Sequence, residues 1–142
     1  MKAKEMMTRS VECVFLEMTI PSAARRMKSL DVGFLPICEN DRLMGTLTDR
    51  DIVLRVIAED RDPKTATAGD VMTSDVHWCY EDQTAEEVAK YMSEKAIRRL
   101  LVLNKEKRLV GVISLGDMAK GGEQRNAGEA MRDIAETPSA AA

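Results

Sequence analysis

Along the chain, apolar residues fall into short continuous runs and into helical stripes, and the two kinds alternate in a fixed order. Residues 11–16 form a short β-leaning run. Ala23, Ala24, Met27 and Leu30 then recur at helical spacing behind Thr19-Ile20-Pro21-Ser22, which supplies an N-cap and an early-turn proline. Gly33 is expected to end that helix. Phe34-Leu35-Pro36-Ile37-Cys38 is a continuous run of the buried-strand kind, Glu39-Asn40-Asp41-Arg42 reads as a turn, and residues 43–47 return as a hairpin partner. Thr48 opens a second helix, whose apolar side, Ile52, Val53, Val56 and Ile57, is wide enough to need cover. A charged connector broken by proline, Arg61-Asp62-Pro63-Lys64, follows.

The same order then returns. Residues 76–80 read as a strand, Thr84-Ala85-Glu86-Glu87 as a capping box, and Val88, Met92 and Ala96 as the inner face of a helix. Residues 99–103 and 108–114 make a second hairpin, and a short helix over 115–120 stops at Gly121-Gly122. Met7-Thr8 matches Met72-Thr73, Thr19 matches Thr84 and Met27 matches Met92 at a spacing of 65. One extra residue in the second hairpin turn shifts the spacing to 66, so that Thr48 matches Ser114. The class expected is α/β (α+β), with β-α-β-β-α built twice. Each half, at about 60 residues, would bury too little surface alone, so the halves are expected to share a core as one module. The expected division is repeat one over 1–62, repeat two over 63–122, and a tail over 123–142. In the tail, residues 129–135 are amphipathic and residues 138–142 should fray.

Two stretches stand out as candidate chemistry: Gly45-Thr46-Leu47-Thr48-Asp49-Arg50-Asp51 and Gly111-Val112-Ile113-Ser114-Leu115-Gly116-Asp117. In each, a hydroxyl stands where a strand gives way to a helix, and an acid follows three positions on. That pattern caps a helix start. The same open N–H groups and the positive end of the helix dipole also make a seat for phosphate, with the acid free to accept from sugar hydroxyls. Both readings remain open for Thr48, Asp51, Ser114 and Asp117.

Composition narrows the field. The 142 residues are 44% hydrophobic and 32% charged, with a net charge of −3, which excludes general disorder and declares no basic face for duplex nucleic acid. Neither an h-region after Met1 nor a run of eighteen apolar residues occurs, so a cytoplasmic, non-membrane protein is expected. Cys13, Cys38 and Cys79 form no C-x-x-C, and His77 is the single histidine, so no structural zinc site is expected. One histidine also excludes a Ser-His-Asp set, and no catalytic residue is assigned.

With Met7-Thr8, Leu35-Pro36-Ile37-Cys38 and the Gly45 to Asp51 stretch matched by Met72-Thr73, Leu100-Leu101-Val102-Leu103 and the Gly111 to Asp117 stretch, the chain resembles a tandem pair of CBS (cystathionine β-synthase) domains. It is most similar to small stand-alone bacterial proteins of that kind, including those induced by hypoxia or stress. Leu101 departs from the pattern, standing where the family usually has proline. The resemblance implies a non-catalytic regulatory module that binds AMP, ADP, ATP, S-adenosylmethionine or a dinucleotide in clefts between the repeats. Thr48 and Ser114 would then bond phosphate or ribose, and Asp51 and Asp117 would accept from ribose hydroxyls.

Arg98 and Arg99 fall where the family often places a basic contact to phosphate, although a solvated strand start explains them equally. Their counterparts in repeat one are Gly33 and Phe34. Val76, Ile37 and Val102 would wall the pocket, and would be core in any case. The resemblance also implies a flat two-fold homodimer, an unidentified regulated protein, and strands that bring Cys13 near Cys38. A reversible disulfide between those two is one reading and two small buried hydrophobes the other. Trp78 could stack on a base or pack at a dimer contact. The competing functional reading is a ligand-free interaction protein of the same fold, responsive to redox through Cys13 and Cys38.

Overall fold

A computed structural model describes residues 1–9, 11–40 and 42–137. In chain order its elements are α1 (Ala3–Met6), α2 (Ile20–Leu30), β1 (Phe34–Glu39), β2 (Arg42–Thr48) and α3 (Asp49–Ile52). A π-helical turn (Val53–Ile57) and α4 (Ala68–Val71) follow. The second half carries β3 (Trp78–Tyr80), α5 (Ala85–Lys95), β4 (Arg99–Leu103), β5 (Leu109–Ser114), α6 (Leu115–Lys120) and α7 (Gln124–Ala135). The expected mixed α/β class is observed. The hairpin turn residue Asp41 and the tail over 138–142 lie outside the described residues.

Contacts sort the chain into two compact units, and their boundary does not follow the sequence repeat. A central unit comprises Glu12–Val76, while a terminal unit joins Met1–Val11 to His77–Ala142. The Met-Thr segments explain this. Thr8 and Val112 exchange both backbone hydrogen bonds (2.8 and 3.0 Å), and Thr73 does the same with Thr46 (2.8 and 3.0 Å), so each copy's leading segment pairs with the other copy's hairpin. Glycine makes room for it. A Cβ on Gly111 would lie 2.6 Å from Met7 Sδ and 2.9 Å from the Thr8 carbonyl oxygen, and one on Gly45 would lie 2.7 Å from that of Thr73.

The buried apolar side chains form two clusters, and each draws on both halves, because it is completed by the leading segment of the other copy. Leu35, Ile37 and Leu47 are joined by Ala66, Ala68 and Val71, while Leu100, Val102 and Ile113 are joined by Ala3, Met6 and Met7.

The two copies also differ in their first strand. β3 pairs in parallel with β4 from Trp78 to Tyr80, but the matching run at 11–16 forms only a bridge from Val14 to Ile37. Proline is the reason. The Leu101 N–H donates to the His77 carbonyl at 3.3 Å, whereas Pro36 at the matching position has no N–H to extend the ladder toward Glu12. The departure from the family pattern at Leu101 thus lengthens a strand.

Helix ends follow local chemistry. The Thr19 hydroxyl accepts from Ser22 N–H at 3.3 Å, and α2 closes at Asp31 in the left-handed region (φ 55) rather than at Gly33. Gly33 instead gives space to a side chain, since a Cβ there would lie 2.9 Å from Asp49 Oδ2. α5 closes in the same way at Ala96, also at φ 55. The helix after Thr48 widens into the π turn, where Ala58 N–H reaches back to the Val53 carbonyl at 2.9 Å. Of its expected apolar face only Val56 is buried, with Val53 and Ile57 turned to solvent. α7 begins at Gln124, ahead of the 129–135 stretch, because Ala127 already faces the same core as Ala130 and Ile134.

Candidate functional site

Both hydroxyl-x-x-acid motifs fold into complete capping boxes. In the central unit Thr48 N–H donates to Asp51 Oδ2 and Asp51 N–H to Thr48 Oγ1, each at 3.0 Å. In the terminal unit Ser114 N–H donates to Asp117 Oδ2 at 2.9 Å and Asp117 N–H to Ser114 Oγ at 3.0 Å. The strands fix where these caps stand. Register places Phe34 opposite Thr48 and Arg99 opposite Ser114, so each cap lies at one end of its hairpin. Asp49 N–H then donates to the Gly33 carbonyl at 2.9 Å, and Leu115 N–H to that of Arg98 at 3.1 Å. Arg98, Arg99, Ser114 and Asp117 are thereby gathered at one end of one sheet. Gly33 and Phe34 occupy the matching corner of the central unit without a base.

The structure supplies a base there from elsewhere. Arg55, one turn past Asp51, holds its Nε 3.9 Å from Asp51 Oδ1 and donates through Nη1 to the Val71 and Met72 carbonyls, at 3.0 Å each. Thr73 Oγ1 lies 3.4 Å from Asp51 Oδ1 and 3.5 Å from Oδ2. Sequence reading missed Arg55, although its place four residues after Asp51 was a usable signal. The matching residue beyond Asp117 is Gly121, which has no side chain to close on that acid. Among the described residues, Asp117 Oδ1 receives no hydrogen bond or ion pair from the protein.

Another box, Thr67 with Asp70, also escaped the sequence reading, and with Thr84 and Glu87 it shows that the pattern alone marks helix starts as much as ligand seats. Hydrogen bonds from Thr67 hold the Asp70 carboxyl below its usual range, and those from Thr84 do the same for Glu87. Ile37 and Val102 are fully buried and act as core, while Val76 is half-buried. Trp78 packs edge-on against Tyr80 at 4.9 Å between centroids. His77 Nδ1 lies 3.1 Å from the Tyr91 hydroxyl.

Cys13 and Cys38 come together as a bonded pair with Cα atoms 5.7 Å apart, a span that suits a disulfide. The Val14 bridge to β1 is what sets them side by side. Cys79 is buried, and burial pushes its thiol up to about 12. Among the described residues no group of three or more His, Cys, Asp or Glu side chains could hold a metal, and no helix is long and apolar enough to cross a membrane.

Comparison with known proteins supplies the family. The CBS domain matches residues 3–58 and 68–122. The chain belongs to the CBS domain family. It is 40% identical over 119 residues to Hypoxic response protein 1 of Mycobacterium tuberculosis, covering 83% of this chain and 82% of that one. The crystal structure of Hypoxic Response Protein I with two coordinated zinc ions aligns with a TM-score of 0.75 and 38% identity, over 84% of this chain and 98% of that one. The CBS domain pair of protein MJ0100, in complex with 5′-methylthioadenosine and S-adenosyl-L-methionine, shares the fold at a TM-score of 0.75 and 23% identity. It covers 88% of this chain and 98% of that one. The chain is thus a CBS pair similar to a small hypoxia-response protein.

Proposed function

We propose that this CBS pair is a non-catalytic sensor of the cytoplasm that binds an adenosine-containing ligand, in the class of AMP, ADP, ATP, S-adenosylmethionine or a dinucleotide. It works as a homodimer in a stress response and passes ligand state to a partner protein. The observation that carries this reading is the Ser114 cap. Its acid spends one oxygen on the cap and keeps Oδ1 for a ribose hydroxyl, while Arg98 and Arg99 stand at the same sheet end for phosphate. Thr48 and Asp51 form the matching seat, with Arg55 as its base. MJ0100, a protein of the same fold, holds two adenosyl compounds, which supports the ligand class.

Calorimetry with AMP, ADP, ATP, S-adenosylmethionine and NAD tests it. Saturable binding of at least one, weakened by Asp117→Asn, is the expected result. A chain that binds none of them refutes the reading. One observation favours a second reading, a redox-responsive interaction protein, namely the meeting of Cys13 and Cys38. Mass spectrometry of oxidised protein with both thiols free would remove it.

A further inference from the structure

Arg55 joins the acid of the central seat to the end of α4. Its Nε stands 3.9 Å from Asp51 Oδ1, while its Nη1 donates to the Val71 and Met72 carbonyls at 3.0 Å each. Those carbonyls close α4, where a helix has no further amides to satisfy them, so the guanidinium holds that helix end. Thr73, the next residue, points its hydroxyl at Asp51 Oδ1 from 3.4 Å and exchanges backbone hydrogen bonds with Thr46. From there the chain leaves the central unit, which ends at Val76. The other copy lacks this link. Met6, the match of Val71, lies instead against Gly121, where a Cβ would come 3.2 Å from Met6 Cγ. Arg55 also sits in the π-helical turn, a local widening frequent at functional positions.

We propose that Arg55 is a switch worked by the phosphate of a nucleotide in the Asp51 seat: it leaves the Val71 and Met72 carbonyls for that phosphate, and so frees the segment that leads out of the central unit. The proposal rests on the adenosine-ligand reading above and deepens it. Bond strength sets the direction. A guanidinium gains more from phosphate than from a neutral carbonyl, because charge-assisted hydrogen bonds are about twice as strong and its fork fits two phosphate oxygens. Arg55 is 47% exposed, so it swings without opening the core. A sugar hydroxyl donating to Asp51 Oδ1 also takes the place of Thr73 Oγ1 there, and both ties between the seat and residues 71–73 loosen together. An adenosyl ligand without phosphate, such as S-adenosylmethionine, loosens the Thr73 tie alone and leaves Arg55 on its carbonyls. The central seat therefore signals AMP, ADP or ATP and stays silent with S-adenosylmethionine.

Hydrogen exchange at Met72 and Thr73, whose amides donate to the Ala68 and Thr46 carbonyls, tests the switch. AMP is expected to speed exchange there several-fold, and S-adenosylmethionine to leave it unchanged. Arg55→Met should exchange fast at both amides before any ligand is added, with no further gain from AMP. Calorimetry in an Asp117→Asn background, which weakens the other seat, should show Arg55→Met binding AMP about tenfold more weakly and adenosine as before. A residue that serves the fold alone would shift both affinities alike. That result, no AMP binding left in the Asp117→Asn background, or wild-type AMP binding with unchanged exchange at 72 and 73 overturns the switch and leaves the ligand reading standing. A wild type that binds no adenosine compound overturns both. Should Arg55→Met unfold, AMP against S-adenosylmethionine on wild type decides, and equal effects on the two amides overturn the switch.

Discussion

In the central unit the cap acid is gripped from several sides, by Thr48 N–H, Arg55 and Thr73, whereas among the described residues of the terminal unit the Asp117 carboxyl bonds only to Ser114. The difference turns on one position, Arg55 against Gly121. A carboxylate whose second oxygen already faces a guanidinium has less to offer a sugar hydroxyl, and more to do for the fold. The same sequence motif is thus held in two ways: Asp51 ties the helix start to Arg55 and the Met72-Thr73 segment, while among the described residues Asp117 bonds through one oxygen alone. The disulfide pair repeats the contrast, since Cys13 and Cys38 belong to the central unit and their counterparts in the other copy are Trp78 and Leu103.

The largest difference between the units should come from oxidation. A bridge from Cys13 to Cys38 should stabilise the central unit by about 2–4 kcal/mol against unfolding, an effect lost with reductant or in Cys13→Ser. Hydrogen exchange should slow in residues 12–76 and change little in 77–137. Cys79 should stay unmodified by iodoacetamide at pH 8 while folded, since its thiol is pushed up to about 12. Equal slowing in both units would erase the contrast.

Next comes the ligand. Asp117→Asn should weaken adenosine-ligand binding by about 1.5–3 kcal/mol, roughly ten- to a hundredfold, with little loss of stability. Asp51→Asn should act the other way round. It gives up the Arg55 and Thr73 contacts and so lowers stability, by about 1 kcal/mol because Arg55 is half-exposed, and it should move affinity less. Arg55→Gly, which copies the other repeat, should bring Asp51 closer to Asp117 in its effect on binding. Calorimetry and denaturant titration of the three variants would show whether the two acids have in fact parted roles.

Gly111→Val and Gly45→Val should each destabilise by about 1–3 kcal/mol, because a new Cβ meets backbone, the Thr8 or Thr73 carbonyl, rather than a yielding side chain. Similar losses in chemical denaturation are expected, since this packing is common to both units. The smallest effect is a gain. Ala96 closes α5 at φ 55, where an L side chain is strained, and Ala96→Gly should stabilise by about 1 kcal/mol. Asp31→Gly should give less, as Asp tolerates that conformation better. A fall in melting temperature for Ala96→Gly would contradict the strain.

Much of this was legible in the residues. Element order, hairpins, caps and the doubled design follow from local rules of spacing and side-chain chemistry, so Thr48, Asp51, Ser114 and Asp117 could be found without a structure. Even the length of β3 was written locally, in leucine at 101 against proline at 36, though its meaning needed the partner strand. What the sequence could not state is which segments meet. The exchange of Met7-Thr8 and Met72-Thr73 between copies, the reach of Arg55 to carbonyls sixteen and seventeen residues away, and the covering of one helix pair by α7 while the other stays open are long-range contacts. Local pattern carries no term for them. A capping box satisfies its helix start wherever the chain folds, but whether its acid is then clamped or left open depends on residues that only the tertiary structure brings alongside.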